Sequence, residues 1–461
     1  MGMSRRRSLF DARPLHTADS KFHGAIRRDK VGAILSLTAV SCISTGLGWM
    51  ACYLYYGSYL LSLAFVALAA AGVVAASRRR RCDSRSLLVV SHVIFAVILL
   101  IAIIDAPFGG VSRTVHLYFL PLAAGAAFTF EARERYGSTI FPLLCAAMCA
   151  AFSTGLLDSI APGMSPPAPV RQLGAVTNPF LAMVVLATVF ALYRADSGRR
   201  LSLERELARA VPEGRIDVLY QPQATADGQI VGAEALARWR RSAGDVVAPD
   251  VFIPLAEESG LIKSIGLDVL RQACATLEAW SHVSATRALK VSVNISPLQL
   301  ADAGFVEAVT AVIVASRASP ALLEFELTES ALCGHVPTTL QRMRQIEALG
   351  VSWALDDFGT GFSSLSALRT LPVRRLKIDR QFLVDAGTEQ AGHGLLGKII
   401  EISQVMGMQA LAEGVETRAQ LQLLVSLGCS RFQGFLFGRP MPATQLQALM
   451  EQAAGRSLPG P

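Results

Sequence analysis

The stretch DVLYQPQATADGQIVGAEALARW, Asp217 to Trp239, holds two apolar runs joined only by ATADG, Ala224 to Gly228. A parallel crossover needs about a dozen residues, so the two runs are expected to form an antiparallel hairpin. The second run raises a question of its own. Glu234 stands inside IVGAEALARW, Ile230 to Trp239, where a strand should be burying its side chains. An ionised carboxylate is almost never buried without a partner, because desolvation costs several kcal/mol. Something must be paired with Glu234.

Working outward, six more short apolar runs follow: LKVSVNIS (289–296), LLEFELTES (322–330), VSWALDDFG (351–359), RRLKIDR (374–380), GMQALAEGV (407–415) and RFQGFLFG (431–438). Helical stretches such as FIPLAEESGLIKSIGLDVLRQACATLEAW separate most of them. Eight strands alternating with helices over about 250 residues is the pattern of a (β/α)8 barrel. The fold expected is an α/β TIM-like barrel whose first strand is antiparallel.

Polar residues gather toward the C-terminal ends of these runs: Glu234, Asn294, Glu326, Asp356, Asp357, Lys377, Glu413 and Gln433. Barrels of this kind build their active sites at that end, where the following loops converge. So many carboxylates facing one mouth raise one another's pKa, and hard divalent cations remove the conflict. The donors are all oxygen, without His or Cys, which favours Mg2+ or Mn2+ over zinc. Adjacent Asp356 and Asp357 suggest a carboxylate shared by two ions, an arrangement used in phosphoester hydrolysis. Any one of these acids taken alone reads as a loop cap or salt-bridge partner, and Lys377 in LKID as the counter-ion of Asp379. Six strand ends in succession do not.

The first half of the chain is of a different kind. A hydrophobic fraction of 52% and a mean hydropathy of +0.42 are too apolar for a water-soluble protein of 461 residues. Apolar windows near 31–54, 58–77, 87–106, 115–130, 138–157 and 176–193 predict six spans, the fourth of them short. The net charge of +7 comes with Lys and Arg clustered at Arg5–Arg7, Arg27–Lys30 and Arg78–Arg81, beside apolar runs. That placement reads as membrane topology and not as a DNA or RNA site. Arg85, Arg133 and Arg135 continue the pattern, while Arg113 and Arg171 are the only basic residues of the alternate loops. Both termini are thereby expected on the cytoplasmic side of the membrane, the first span being an uncleaved anchor.

The expected organisation is a basic tail over 1–30, a multi-pass α-helical sensor or anchor domain over 31–194, a linker helix over 195–211, the barrel over 212–450 and a tail over 451–461. SPPAPVRQLG, Ser165 to Gly174, reads as an external loop. Leu203, Leu207 and Val211 recur at i, i+4 and i+8 on the linker, a spacing that suits pairing with its twin in a dimer or a plain solvated connector. The eight cysteines form no CxxC pair, and Cys42, Cys52, Cys82, Cys145 and Cys149 lie in or beside apolar runs, as packing residues do. His92 and His116 are candidate haem ligands, or interhelical packing residues.

EALARW, VNIS, ELTES, DDFGTGFSSL, LKIDR, AEGVE and QGFLFGRP, in this order, resemble the EAL-domain phosphodiesterases that hydrolyse cyclic di-GMP. The resemblance covers about Val211 to Ala443. It implies that Glu234, Asn294, Glu326 and Asp356 ligate one metal ion, and that Asp356, Asp357 and Glu413 ligate a second. Lys377 would orient or activate the attacking water, and Gln433 would hold water or substrate. Arg238 would bind phosphate, with Gln221 and Asp379 also on the substrate side. Glu329 would steady the loop DDFGTGFSSL, in which Phe362 stands where relatives usually carry Tyr; EALARW likewise has Ala237 in place of the usual Leu. The implied product is linear pGpG and the implied assembly a homodimer. A receptor that binds the dinucleotide without cutting it, or a protein-interaction signalling module, is the alternative. No cyclase segment of the GGDEF kind separates the two halves, so the chain is expected to remove the messenger and not make it.

Overall fold

The computed structural model describes residues 19–79, 84–105, 113–130, 134–157, 167–241, 244–328, 336–358, 368–388 and 390–456. It comprises two compact units, Met1–Leu201 and Ser202–Pro461.

The first unit is helical: α1 (Asp19–Tyr55), α2 (Tyr59–Arg78), α3 (Ser84–Ile104), α4 (Phe119–Thr129), α5 (Phe141–Ser153) and α6 (Ala168–Ala210) as far as Leu201, the rest of α6 belonging to the second unit. Leu35, Phe65, Ala75, Ile101, Phe119, Phe141 and Cys145 are buried among them. Large apolar side chains such as Leu63, Leu143, Val176 and Phe180 point outward. Five stretches are long and apolar enough to cross a membrane: Val31–Tyr55, Tyr59–Arg78, Ser86–Ile104, Tyr136–Ser153 and Ala168–Ala210. The expectation of six spans meets a shorter fourth helix, Val115–Thr129. At 1.5 Å per residue it covers only about 22 Å of a hydrocarbon core about 30 Å thick.

Two local expectations change. The segment read as an external loop, 165–174, is helical from Ala168 onward; Pro169 sits in the first turn, where its missing N–H costs nothing. The linker helix is no separate element, because α6 runs unbroken to Ala210. Leu207 and Ala210 are fully buried in the core of the second unit, with Leu203 and Val211 packed against it. The stripe is consumed within the chain and is not left free for a twin.

Among the described residues of the helical unit, the two candidate histidines are engaged and the cysteines are buried or half-buried. Nδ1 of His92 donates to the Leu88 carbonyl (2.7 Å), which leaves Nε2 to accept from the Tyr136 hydroxyl (2.7 Å). His116 Nε2 meets the Ser153 hydroxyl at 3.0 Å. Cys42, Cys145 and Cys149 are buried free thiols and Cys52 is half-buried. Arg5–Arg7, Arg13, Arg81, Cys82 and Arg133 lie outside the described residues.

The second unit is a barrel of β1 (Ile216–Ala224), β2 (Ile230–Arg240), β4 (Lys290–Asn294), β5 (Leu323–Thr328), β6 (Ser352–Phe358), β7 (Val373–Ile378), β8 (Gln409–Ala412) and β9 (Arg431–Gln433). A two-residue β3 (Val246–Val247) hangs on the end of β2. β1 is antiparallel to both neighbours, β2 and β9, and closes the barrel; β3 is antiparallel to β2, and the remaining neighbours are parallel. The short ATADG connection permits nothing else.

Parallel strands covered on both faces usually read as unbroken apolar runs. Here they alternate. Val291, Val293, Leu323, Phe325, Leu327 and Trp353 face outward into the helix-covered core, and the Trp353 indole donates to the Met343 carbonyl of the helix Val336–Ala348. The positions between them turn into the barrel and carry Ser292, Asn294, Glu324, Glu326, Arg375 and Lys377. A polar interior is therefore written into every second residue.

Candidate active site

Lys377, only 1% exposed, is the hub of the interior. Its Nζ lies 2.6 Å from Glu326 Oε2, 2.7 Å from Glu413 Oε1, 3.1 Å from Asp356 Oδ1 and 3.7 Å from Glu234 Oε2. These acids come from the ends of four different strands, which closure brings to one mouth. Burial pushes the Glu326, Asp356 and Glu413 carboxyls above the usual carboxylate range; Lys377 pulls each down, and neighbouring carboxylates push it up. For Lys377, burial works downward but Asp356, Glu234, Glu326 and Glu413 hold its ammonium well above the usual lysine range. Asp379 is not among these partners. It stands just past β7, where its carboxylate accepts from the Gln381 N–H (2.7 Å) and caps the helix Arg380–Thr388.

Successive residues of a strand point to opposite faces, yet Asp356 and Asp357 serve one cluster. The β6–β7 ladder loses register between Leu355 and Phe358, and Asp357 adopts φ of +54°, a conformation rare outside glycine. The Asp357 N–H donates to the Asp356 carboxylate (3.0 Å). Ligand oxygens of Asp356, Asp357 and Glu413 all lie within 4.8 Å of one another.

The amides complete the rim. Asn294 Nδ2 donates to Glu234 Oε1 (2.7 Å) and Gln433 Nε2 to Glu234 Oε2 (2.5 Å), so each oxygen of the acid in EALARW has a donor. Gly434 follows Gln433, and a Cβ there would collide with the Val415 backbone; only glycine lets the end of β9 sit so close to the segment after Glu413. Gln221 is fully buried beside Gln433, accepting from it at 3.2 Å. Arg238 is on the face of β2 that carries Glu234, four residues on, and its Nη1 donates to the Ala237 carbonyl (2.8 Å). Glu329, and Gly359, Gly361 and Phe362 of the following loop, lie outside the described residues.

One layer deeper is a second cluster that strand-end reasoning passed over. Arg375 Nη1 lies 2.6 Å from Glu324 Oε1 and donates to Gln223 Oε1 (3.1 Å), while Nη2 donates to Gln409 (3.2 Å). Ser292 and Ser352 donate to the Glu324 carboxylate at 3.1 and 3.4 Å. Ser292, Glu324 and Arg375 sit two residues before Asn294, Glu326 and Lys377, Ser352 and Gln409 sit four before Asp356 and Glu413, and on antiparallel β1 Gln223 follows Gln221. The period of two that carries Glu326 and Lys377 inward carries these inward also.

The upper layer fits divalent cations. Four carboxylates around one ammonium leave a surplus of negative charge, and Glu326 Oε1 is buried without a hydrogen-bond partner. Asn294, having committed its NH2 to Glu234, keeps its Oδ1 as a donor to a cation. Carboxylate and amide oxygens are the set that hard ions take.

A family model of the EAL domain matches residues 204–440. Among curated proteins, the chain is 38% identical over 258 residues to the bifunctional diguanylate cyclase/cyclic di-GMP phosphodiesterase MucR of Pseudomonas aeruginosa, covering 55% of this chain and 37% of that one. It is 38% identical over 253 residues to the cyclic di-GMP phosphodiesterase NbdA of the same organism, covering 55% and 32%. The chain thus spans about a third of the length of the curated relatives it matches. Among solved structures, the MucR phosphodiesterase in complex with c-di-GMP is similar with a TM-score of 0.51 and 38% identity, covering 53% of this chain and 99% of that one. With its barrel closed by an antiparallel first strand and the family match running over 204–440, more than half of the 461 residues, this chain belongs to the EAL domain family.

Proposed function

We propose that the chain hydrolyses cyclic di-GMP to linear pGpG at the mouth of its barrel, with two divalent cations, Mg2+ or Mn2+. The observation that carries this reading is the buried Lys377 among Glu234, Glu326, Asp356 and Glu413, with Asp357 turned onto the same side. Glu234, Asn294, Glu326 and Asp356 hold one ion, and Asp356, Asp357 and Glu413 the other. Bound there, the ions supply an activated water for attack at phosphorus and neutralise developing charge. Lys377 stays cationic, orients that water and offsets negative charge on the phosphoryl oxygens. Arg238 offers its guanidinium to a phosphate. Gln433 and Asn294 fix the rotation of Glu234.

The first unit anchors the enzyme in the bacterial inner membrane, its outward apolar faces covered by lipid. Arg194, Arg199 and Arg200 follow the last apolar stretch, which supports a barrel on the cytoplasmic side. The basic N-terminal tail belongs on the same side, which requires an even number of crossings. Val115–Thr129 then completes the set as a short span in a locally thinned bilayer. Dimerisation, if this chain shares it with the family it resembles, runs through the barrel and not through the 203–211 stripe.

Expression in bacteria that contain cyclic di-GMP tests the reading. The parent lowers the cellular level and Glu234→Ala does not; a level unchanged by the parent contradicts it.

A further inference from the structure

We infer that Arg375 and Gln223 are positioning residues, which set the direction of a hydrogen-bond relay that orients Glu234 toward its cation; the inference rests on the hydrolase reading above. The relay has four members from four strands. Arg375 Nη1 donates to Gln223 Oε1 (3.1 Å), Gln223 Nε2 donates to Gln433 Oε1 (3.1 Å), and Gln433 Nε2 donates to Glu234 Oε2 (2.5 Å). Gln223 and Gln433 are register partners across β1 and β9. Gln223 is 1% exposed and Gln433 2%.

The direction is fixed at both ends. A guanidinium only donates and an ionised carboxylate only accepts, so each intervening amide has one orientation that satisfies both neighbours. Arg375 is itself pinned by Glu324 (2.6 Å) and Gln409 (3.2 Å), and Glu324 by Ser292 and Ser352. The lower layer therefore reinforces, from the oxygen side of Gln433, the orientation that Glu234 and Gln221 Oε1 (3.2 Å) favour from its NH2 side. Partners that orient a ligand in this way typically change metal affinity or activity by about 10–100-fold when altered.

Gln223→Glu separates this role from mere packing. The replacement keeps the length of the side chain and the bond from Arg375 but cannot donate to Gln433. Gln433 is then held between two carboxylates, so that in either orientation its oxygen faces one of them and its grip on Glu234 is weakened. With the full chain in detergent, calorimetric titration with Mn2+ is expected to show affinity lowered by roughly tenfold or more, and kcat lowered comparably. KM for the dinucleotide is expected to change less than kcat does, because Gln223 reaches the substrate side only through Gln433 and its neighbour Gln221. Simple electrostatics predicts the opposite sign, since an added negative charge attracts a cation.

Glu324→Gln keeps an acceptor oxygen for Arg375, which Gln409 also holds, so the direction of the relay is retained; this companion variant is predicted to lower the melting temperature while leaving Mn2+ affinity within about twofold of the parent. If Gln223→Glu does not fold, Gln223→Met takes its place with the same expected loss. Mn2+ affinity in the Gln223 variant equal to or tighter than the parent's overturns the relay. So does a loss of affinity that merely tracks melting temperature across both variants. In either case a parent that still binds Mn2+ and cuts leaves the hydrolase reading standing; a parent that binds no Mn2+ sinks both.

Discussion

Asp356 and Asp357 are neighbours on one strand, yet their carboxylates meet on one side of it, because Asp357 takes φ of +54° at a break in the β6–β7 ladder. That conformation is tolerated by Asn and Gly and resisted by β-branched residues. Asp357→Asn and Asp357→Gly are expected to keep stability within about 1 kcal/mol, while Asp357→Val costs about 1–3 kcal/mol. All three lose hydrolysis. Chemical denaturation followed by circular dichroism checks the ranking, and equal stability of the Val and Asn variants contradicts it.

Lys377 stands among four buried or half-buried acids, Glu234, Glu326, Asp356 and Glu413. Lys377→Met leaves their charge uncompensated, a change that typically costs about 3–5 kcal/mol. Unfolding measured without divalent ions should show a loss of that order, and added Mn2+ should restore part of it. A variant as stable as the parent in the presence of a chelator means that the acids are not charged around Lys377.

The raised carboxyls of Glu326, Asp356 and Glu413 make cation binding depend on pH. An acid whose pKa is raised on folding contributes stability at low pH that is lost as pH climbs through the raised value. The cation-free protein is thus expected to weaken as pH climbs above the usual carboxylate range, while cation affinity rises and protons are released. Calorimetry in two buffers of different ionisation enthalpy counts those protons. A binding heat independent of buffer rules this out.

Leu207 is fully buried in the barrel unit's core. Leu207→Ala is expected to destabilise that unit by about 2–5 kcal/mol and to leave the oligomeric state, read by light scattering, unchanged. A shift in oligomeric state without loss of stability restores the paired-helix reading.

The barrel was legible in the sequence because its punctuation is local: ATADG is too short for a crossover, and strand-end acids recur at regular intervals. Glu234, Asn294, Glu326, Asp356, Lys377, Glu413 and Gln433 meet because closure of a barrel gathers the ends of its strands. The deeper layer of Gln223, Glu324 and Arg375 escaped because a polar residue in mid-strand looks like a solvent-facing one until closure turns it inward; its parity with Glu326 and Lys377 was the available signal. The turn at Asp357 escaped because a backbone dihedral leaves no mark on composition. The stripe at Leu203, Leu207 and Val211 announced an apolar face but not what covers it.

The central claim is tested most directly by incubating the purified full chain in detergent with cyclic di-GMP and Mn2+, alongside Glu326→Gln, and resolving the products by chromatography. The account predicts pGpG from the parent, none from the variant, and none from the parent in the presence of a chelator. Hydrolysis that persists in Glu326→Gln, or a parent that binds the dinucleotide and leaves it intact at every divalent cation concentration, contradicts it.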